Sequence, residues 1–257
     1  MKKVVVIDKK EGETPLAALD NFRLKNKGYE KIKMTYAGRL DPMARGLLLV
    51  LTGEEVKNKD KYLALTKEYV FEVLFGFSTD TYDILGKVTS PPVFRYIKSY
   101  NRKNLSNSIK DNLKYFKGGF IQTYPAYSSK TVDGKALFVY AREGLDVPVT
   151  TREVNVKNLE FLSLRKISGK KLLSNIEKRI AKVEGDFRQQ IILNMWDEKL
   201  NTKIDKVDQE FFIAKFVTTC SSGTYVRAIA NALGEKMCVP ALAYMIKRTK
   251  IGRYGKI

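Results

Sequence analysis

The sequence contains no histidine, and this absence excludes several kinds of chemistry at once. The Ser-His-Asp and Cys-His nucleophile systems, histidine-ligated metals and the commonest general base of enzymes are all removed. The two cysteines, Cys220 and Cys238, lie in unlike surroundings without metal-ligand spacing, which indicates a reducing compartment and neither zinc nor a disulfide framework. Any catalysis by this chain must therefore use Asp, Glu, Tyr, Lys, Arg or Cys.

Long apolar runs and acidic residues are also scarce. The apolar runs are far shorter than the roughly 20 residues that a membrane-spanning helix needs, and the segment from Val4 to Ile7 is too short for a signal peptide. We therefore expect a cytoplasmic protein without a membrane partner. The 28 acidic residues stand against 47 basic ones, and the net charge of +19 predicts a polyanionic partner, with nucleic acid favoured. A lysine-rich proteome is the alternative source of this charge.

Periodicity predicts helices and strands in mixed order along the chain. Thr14 and Pro15 supply a capping hydroxyl and a proline at the first helical position, which predicts a helix from about Pro15 to Lys25. A second helix follows the small-residue turn at 220–225 and is predicted to end at Gly234. The basic segment after Met245 is interpreted as a tail. We expect strands near 4–7, 47–51, 70–77, 152–164 and 210–220.

Two further segments are harder to interpret. A break at Ser90 to Pro92 precedes apolar residues spaced by four, four and three from Leu105 to Phe116, which predicts a helix. The charged stretch from Ser168 to about Leu200 has the apolar periodicity of two helices or of one kinked helix. Its helices either face RNA or another partner, or form a solvated cover over part of the core.

The segment from Tyr36 to Gly53, YAGRLDPMARGLLLVLTG, places an acidic turn in front of an apolar run of strand length. Asp41 is followed by a proline, which biases its backbone toward an extended or turn conformation. Catalytic carboxylates often lie on a short loop that is anchored by a buried strand. The alternative is that Asp41 only caps the turn between Pro42 and Gly46.

Two other residues are candidates for chemistry beside Asp41. Arg227 opens a helix after the turn SSGTY, and Tyr69 begins a strand after Lys67. An arginine near an aspartate would keep its carboxylate ionised and oriented, and an ionised carboxylate can act as a nucleophile or a base. The spacing alone does not establish that Asp41 and Arg227 meet. Tyr69 could equally be a core aromatic, and Arg227 could pair with some other acid.

Several blocks of sequence follow one another in a characteristic order along almost the whole chain. They are VVVIDKKEGET, GRLDPMARGLLLVLTG, KEYVFEVLFG, STDTYDILG, IQTYPAYS with VDGKALFVYAREG, REV from Arg152, CSSGTYVRAIANALGEK and ALAYMIKRTKIG. In this order they resemble the tRNA pseudouridine synthases of the TruB type. GRLDP alone is modest evidence, because related synthases of ribosomal RNA share a GRLD element.

This resemblance implies a single pseudouridine synthase catalytic domain over residues 1–257. Its fold would be mixed α/β, with a central, largely antiparallel sheet flanked by helices. Its activity would be isomerisation of a T-loop uridine of tRNA, position 55, to pseudouridine after base flipping, with no metal or organic cofactor. The T-arm of tRNA would be the partner and the protein a monomer. The alternatives are a synthase of another RNA, or a non-catalytic RNA-binding or tRNA-folding protein.

The resemblance also implies roles for individual residues. Asp41 would be the catalytic aspartate, Arg227 its partner, and Tyr69 the aromatic that stacks on the uracil and assists loss of the C5 proton. Substrate contacts are expected from a further set of residues, which as basic or surface groups could also be ordinary solvated positions: Tyr36, Arg39, Lys130, Lys135, Lys247 and Arg248.

Three departures from the family pattern stand out. Tyr36 occupies the position of a histidine that is associated with rearranging the flipped loop, and YSSKT places Thr131 where a lysine is usual. We also expect the small C-terminal RNA-binding (PUA) domain to be absent. The helical stretch at about 168–200 is longer than usual for the family, and we hypothesise that it partly replaces the missing RNA-binding surface.

Overall fold

The computed structural model describes residues 2–89, 101–201 and 209–255, and the predicted break at Ser90 to Pro92 lies outside these ranges. An eight-stranded sheet forms the centre, in the order β1-β3-β10-β4-β9-β8-β5, with β2 also paired to β3. A separate hairpin joins β6 and β7. The strands are β1 Val4–Lys9, β2 Met34–Ala37, β3 Ala44–Thr52, β4 Lys67–Phe75, β5 Gly118–Thr123, β6 Thr131–Val132, β7 Lys135–Ala136, β8 Thr151–Ser168, β9 Glu210–Cys220 and β10 Ala241–Ile251.

Helices flank this sheet. They are α1 Pro15–Lys25, α2 Lys59–Leu63, α3 Arg102–Asn112, α4 Leu137–Glu143, α5 Gly169–Ile180, α6 Gln189–Leu200 and α7 Val226–Lys236, with short 3-10 helices at Lys27–Tyr29, Gly53–Asn58 and Leu113–Phe116. The sheet pairings are antiparallel except that β10 runs parallel to β3. This arrangement confirms the predicted fold class. None of the helices in the described ranges is long and apolar enough to cross a membrane.

Helix α1 has the bounds that its local signals predict. The Thr14 hydroxyl accepts a hydrogen bond from the Ala17 amide at 3.1 Å, and Pro15 occupies the first helical position. Ala18 and Leu19 are its buried residues, and they pack with Ile7, Leu48 and Val50 of β1 and β3. A cap and a proline act within one turn of helix, so the sequence carries the information for this element locally.

The predicted basic tail is wrong, because this segment is strand β10, which lies between β3 and β4 in the sheet. Its residues 241–244 are all buried, and farther along Ile246, Arg248 and Ile251 are buried in alternation with exposed or half-buried neighbours. Lys247 and Lys250 at outward positions, with the buried Arg248 between them, make the segment look like a solvated basic tail. The chain therefore places one of its last strands at the centre of the sheet.

Helix α7 does not end at Gly234 as predicted, but continues to Lys236. Gly234 lies inside the helix and lets its backbone approach the chain that follows. A β-carbon at this position would lie 2.5 Å from the carbonyl oxygen of Val239 and 2.6 Å from the β-carbon of Ala241. The glycine is therefore needed for close packing of α7 against the start of β10, and not for a left-handed helix end.

Helices α5 and α6 account for the charged stretch between Ser168 and Leu200. Their apolar faces belong to the main hydrophobic core, with Leu172, Ile176, Ile180, Ile192 and Trp196 fully buried. The indole nitrogen of Trp196 donates to the carbonyl oxygen of Ile84 at 3.1 Å. The two helices therefore cover part of the core, and their charged faces point outward.

We predict that Gly234→Ala destabilises the protein by about 1–3 kcal/mol, because the added methyl group overpacks the contact between α7 and β10. Gly28→Ala is the matched control, since a β-carbon there meets no atom within 4 Å. Urea denaturation of both variants measures the free energy of unfolding. Equal changes in the two variants would contradict the packing role of Gly234.

Candidate active site

A cavity of about 880 Å³ opens beside the loop between β2 and β3, and Asp41, Tyr69 and Arg227 all line it. These residues come from a loop, from the strand β4 and from the first turn of α7. The structure therefore brings together the three predicted catalytic residues, which are far apart in sequence. In the described ranges, no group of three or more Cys, Asp or Glu side chains is placed to hold a metal ion.

Asp41 and Arg227 form an ion pair. Arg227 donates from Nε to Asp41 Oδ2 at 2.8 Å and from Nη2 to Oδ1 at 3.4 Å. The guanidinium is 3% exposed, whereas the Asp41 side chain is 36% exposed. Burial would lower the pKa of Arg227, but the carboxylates of Asp41 and Asp83 outweigh burial and raise it. A fixed cation thus lies behind a carboxylate whose other side is open to the cavity.

The remaining donors of Arg227 bind backbone carbonyls. Nη1 donates to the carbonyl oxygen of Thr81 at 2.5 Å, and Nη2 also donates to that of Tyr127 at 2.7 Å. Because a buried guanidinium without partners would be costly, these bonds keep the side chain in one orientation. Arg227 thereby links the Asp41 loop to two other segments of the cavity wall.

Arg248 holds the first half of the Asp41 loop. It donates from Nε to the carbonyl oxygen of Leu47 at 2.7 Å, from Nη1 to that of Arg39 at 3.2 Å and from Nη2 to that of Gly38 at 3.0 Å. Gly38 has a φ of +83°, which favours glycine at this turn. The guanidinium of Arg248 therefore fixes the backbone that leads into Asp41.

Arg248 was predicted to contact the substrate, and it does line the cavity, but it is not a surface cation. Its side chain is 1% exposed, and its donors serve the three loop carbonyls. Its neighbour Lys247 is exposed, because successive residues of a strand point to opposite faces. Arg248 has a structural role in the loop, and its resemblance to a surface cation came only from its basic neighbours in sequence.

Lys9 holds the second half of the same loop from within the protein. Its ammonium is fully buried and donates to the carbonyl oxygens of Ala44 at 2.6 Å, Lys10 at 2.9 Å and Pro42 at 3.3 Å. Burial lowers the pKa of Lys9 to about 8, and nearby carboxylates that include Asp41 oppose this shift. The sequence analysis missed Lys9, since nothing in VIDKKEG distinguishes a buried lysine from a solvated one.

Tyr69 lines the cavity and also belongs to the main hydrophobic core. Its burial raises the pKa of the phenol, so the hydroxyl keeps its proton at neutral pH. The two interpretations of Tyr69, core aromatic and cavity aromatic, are therefore both correct as descriptions of its position. Tyr225 is a second aromatic in the wall, and the Gln122 side chain holds it through its backbone amide at 2.8 Å and carbonyl at 3.2 Å.

Asp83 is a second carboxylate in the wall that the sequence analysis did not single out. It is buried, and its Oδ1 accepts from the Thr81 hydroxyl at 2.8 Å and from the Leu85 amide at 2.9 Å. Burial raises the pKa of Asp83 to about 6, an effect opposed by the charge of Arg227 and reinforced by that of Asp41. Two carboxylates thus share one arginine. The segment STDTYDILG resembles any polar loop, and only its burial distinguishes Asp83.

The predicted substrate residues lie in two settings. Tyr36 and Arg39 line the cavity. Arg248 lines it too, from within the wall. The three lysines lie outside the lining: Lys130 and Lys247 are exposed, and Lys135 pairs with Glu143 at 2.8 Å. The segment between α5 and α6 also reaches the cavity. There Phe187 and Arg188 join the wall, and Arg188 donates to Asp80 at 2.8 Å and to the Tyr127 hydroxyl at 2.6 Å.

Comparison with known proteins assigns the family. The model of the N-terminal domain of TruB family pseudouridylate synthases matches residues 25–180. The chain belongs to the TruB family. The tRNA pseudouridine synthase B of Malacoplasma penetrans is 34% identical over 89% of this chain and 77% of its own length. That of Lactobacillus acidophilus is 30% identical over 95% of this chain and 67% of its own length. The TruB chain described here thus spans about two thirds of some curated relatives.

Solved structures of low sequence identity share the fold. A chain in the crystal structure of a Cbf5-Nop10-Gar1 complex is 18% identical, with a TM-score of 0.56 over 99% of this chain and 50% of that one. A structure of an H/ACA RNP bound to a substrate RNA containing 2'-deoxyuridine contains a similar chain, 17% identical with a TM-score of 0.52. The TruB chain therefore corresponds to about half of each of these larger chains.

The raised pKa of Asp83 predicts a pH dependence of stability. Between pH values of about 4 and about 6, the unfolded chain loses the proton of residue 83 while the folded protein keeps it, so the free energy of unfolding falls as pH rises. Relative to Asp83→Asn, the native protein should lose up to about 3 kcal/mol over this range. Urea denaturation at several pH values measures the difference. Asp60→Asn, at an exposed position, should follow the native profile.

The different positions of Arg248 and Lys247 predict opposite effects on stability. Arg248→Met leaves three loop carbonyls without their donor and should lower the free energy of unfolding by about 3 kcal/mol or more. Lys247→Met, at the exposed neighbouring position, should change it by less than about 0.5 kcal/mol. Thermal and urea unfolding measure both. A stable Arg248→Met variant would show that the loop does not depend on this side chain.

Proposed function

We propose that this chain isomerises a uridine of tRNA to pseudouridine, with the T-loop uridine at position 55 as its target. The observation that carries the proposal is the Asp41 carboxylate, which is paired with a buried arginine and open to a cavity lined by Tyr69. Family membership supports the reaction, and curated relatives are named tRNA pseudouridine synthase B. Both lines of support are independent of the protein's charge.

The reaction is an isomerisation that leaves the atom count unchanged. The bond from the ribose C1' to N1 of uracil breaks, the uracil turns, and a bond from C1' to C5 forms, while C5 loses a proton and N1 gains one. Asp41 acts at the ribose or the base, as a nucleophile or a base. Arg227 orients the carboxylate through Nε and holds a positive charge against it throughout.

The cavity has the size and lining that a flipped nucleoside requires. Its volume of about 880 Å³ lies within the range of about 300–1,000 Å³ that is typical of small-molecule sites. A base in a folded RNA loop must leave its stack to reach a carboxylate, and stacking on an aromatic ring contributes about 1–3 kcal/mol per base. Tyr69 is the aromatic that we assign to stacking on the uracil, beside the carbon that loses its proton.

Basic residues around the cavity would hold the rest of the RNA. Arg39 lies on its rim, and Lys130, Lys135 and Lys247 provide further positive charge for phosphates of the T-arm. Tyr36 lies in the lining at the position of the family histidine, so its ring would contact the rearranged loop. The segment at 168–200 would contribute to the same surface through Arg188. We assign this activity to a single catalytic domain over residues 1–257, acting as a monomer in the cytoplasm.

The decisive experiment incubates the native protein with an unmodified tRNA transcript and maps pseudouridine in the product. We expect product at position 55, and Asp41→Asn should lower the rate by at least about 1,000-fold, because it removes the charged carboxylate and keeps its shape. RNA affinity of Asp41→Asn should stay within about threefold of the native value, since a rim of cations supplies most of it. The exposed Asp60→Asn variant is the control.

Each outcome of this experiment distinguishes a different alternative. Product at another uridine would change the proposed substrate and leave the reaction intact. RNA binding without any product from the native chain would refute the enzymatic function and favour a binding or RNA-folding protein. Full activity of Asp41→Asn would refute the assignment of the catalytic residue.

A further inference from the structure

Arg152 lies at the start of β8 and lines the cavity. It lies beside the turn before α7, which also lines the cavity. The guanidinium group of Arg152 packs against Gly223, where a β-carbon would lie 2.4 Å from Arg152 Cζ and Nη1. Gly223 has a φ of +82°, so both its conformation and the space beside it favour glycine. The turn is thus shaped to leave room for the arginine at the cavity wall.

The Arg152 side chain has no hydrogen-bond or salt-bridge partner among residues 2–89, 101–201 and 209–255. This distinguishes it from Arg188 and Arg227, which also line the cavity but pair with the carboxylates of Asp80 and Asp41. It also differs from Arg248, which donates to the carbonyl oxygens of Gly38, Arg39 and Leu47. Arg152 therefore contributes to the cavity a planar set of donors that is available to a ligand.

Lys67 is a second cation of the cavity wall, and the charge of Arg152 acts on it. Lys67 is buried nearby and donates to the carbonyl oxygens of Leu63 and Leu65 at 2.5 and 2.6 Å. Burial, helped by the positive charges of Arg248 and Arg152, lowers the pKa of Lys67 to about 8. The groups that act on this ammonium are thus two other cations and the Cys220 thiol, whose pKa burial raises to about 11.

The cavity therefore has two unlike sides. On one side, Arg227 is balanced by Asp41 and Asp83. On the other side, Lys67, Arg248 and Arg152 add positive charge, and of these three only Arg152 has no hydrogen-bond partner among the residues that the structure describes. An anion at this side would accept hydrogen bonds from Arg152 and relieve the repulsion among the cations.

We propose that Arg152 binds a phosphodiester of the RNA strand that directly flanks the flipped uridine. A guanidinium binds phosphate through two parallel N–H donors, which fixes position as well as adding affinity. A phosphate held there would set the distance between the ribose and Asp41 across the cavity. This assignment rests on the proposed function, because it takes RNA as the ligand.

The first test measures RNA affinity and kinetics of Arg152 variants against Lys110→Ala, which removes one exposed charge on α3 outside the cavity. We expect Arg152→Ala to lower kcat/KM roughly 10- to 100-fold, as for the loss of hydrogen bonds to a charged group. The slope of log affinity against log salt concentration should decrease by about one, because one fewer counterion is released on binding. Arg152→Lys should recover part of the affinity, because it keeps the charge without the two-donor geometry. The Lys110→Ala variant should behave like the native protein.

The second test removes the charge from the RNA. T-arm oligonucleotides carry a single neutral methylphosphonate on the 5' or the 3' side of the target uridine, or several nucleotides away. Native protein should lose affinity for one of the two flanking substitutions by the same factor that Arg152→Ala loses for normal RNA. The Arg152→Ala variant should lose nothing further at that position. Such non-additivity identifies the contacting pair.

Two results would overturn the assignment: equal sensitivity of native protein and Arg152→Ala to both flanking substitutions, or an equal loss of affinity in Lys110→Ala. Thermal unfolding of each variant establishes that it is folded. Because affinity is measured separately from turnover, the outcome is also distinct from that of the proposed function. A native chain that forms no pseudouridine but loses affinity with Arg152→Ala would refute only the enzymatic activity.

Discussion

The site depends on buried cations that hold one short loop. Arg248 binds carbonyls before Asp41, Lys9 binds carbonyls after it, and Arg227 binds its carboxylate. Each cation comes from a different strand or helix, so the loop is fixed from several directions by groups that water cannot easily replace. This arrangement explains how a segment without regular secondary structure can present a carboxylate in one orientation, which catalysis by positioning requires. It also means that stability and activity share the same hydrogen bonds.

Local signals in the sequence were sufficient for part of this fold. The cap at Thr14 and the proline after it correctly predict the bounds of α1, because both act within one helical turn. Non-local features were not predictable in this way. The pairing of Asp41 with Arg227 spans 186 residues, and the spacing left it open until the sheet was known. Strand β10 was mistaken for a tail because the outward Lys247 and Lys250 and the buried Arg248 give its second half the composition of a basic tail. Asp83 was overlooked because burial is a property of the fold.

Net charge overstates the positive surface of this protein. Among the residues that the structure describes, five basic side chains are buried: Lys9, Lys67, Arg179, Arg227 and Arg248. They bind carbonyls or carboxylates of the protein itself. Burial of a cation is costly unless its donors are all used, so these residues are committed to structure. The remaining lysines and arginines supply the field that a polyanion meets. A sequence count of charge cannot separate these two groups, whereas their hydrogen bonds can.

The position of β10 has a consequence for the order in which the protein matures. Arg248 and the carbonyl of Leu47 that it binds are separated by 201 residues. During synthesis the segment around Asp41 leaves the ribosome long before the strand that will anchor it, and β3 and β4 remain without the partner that lies between them. Contacts of such long range close late. The nascent chain therefore contains Asp41 early but cannot fix the position of its carboxylate. The site is complete only when β10 is inserted between β3 and β4.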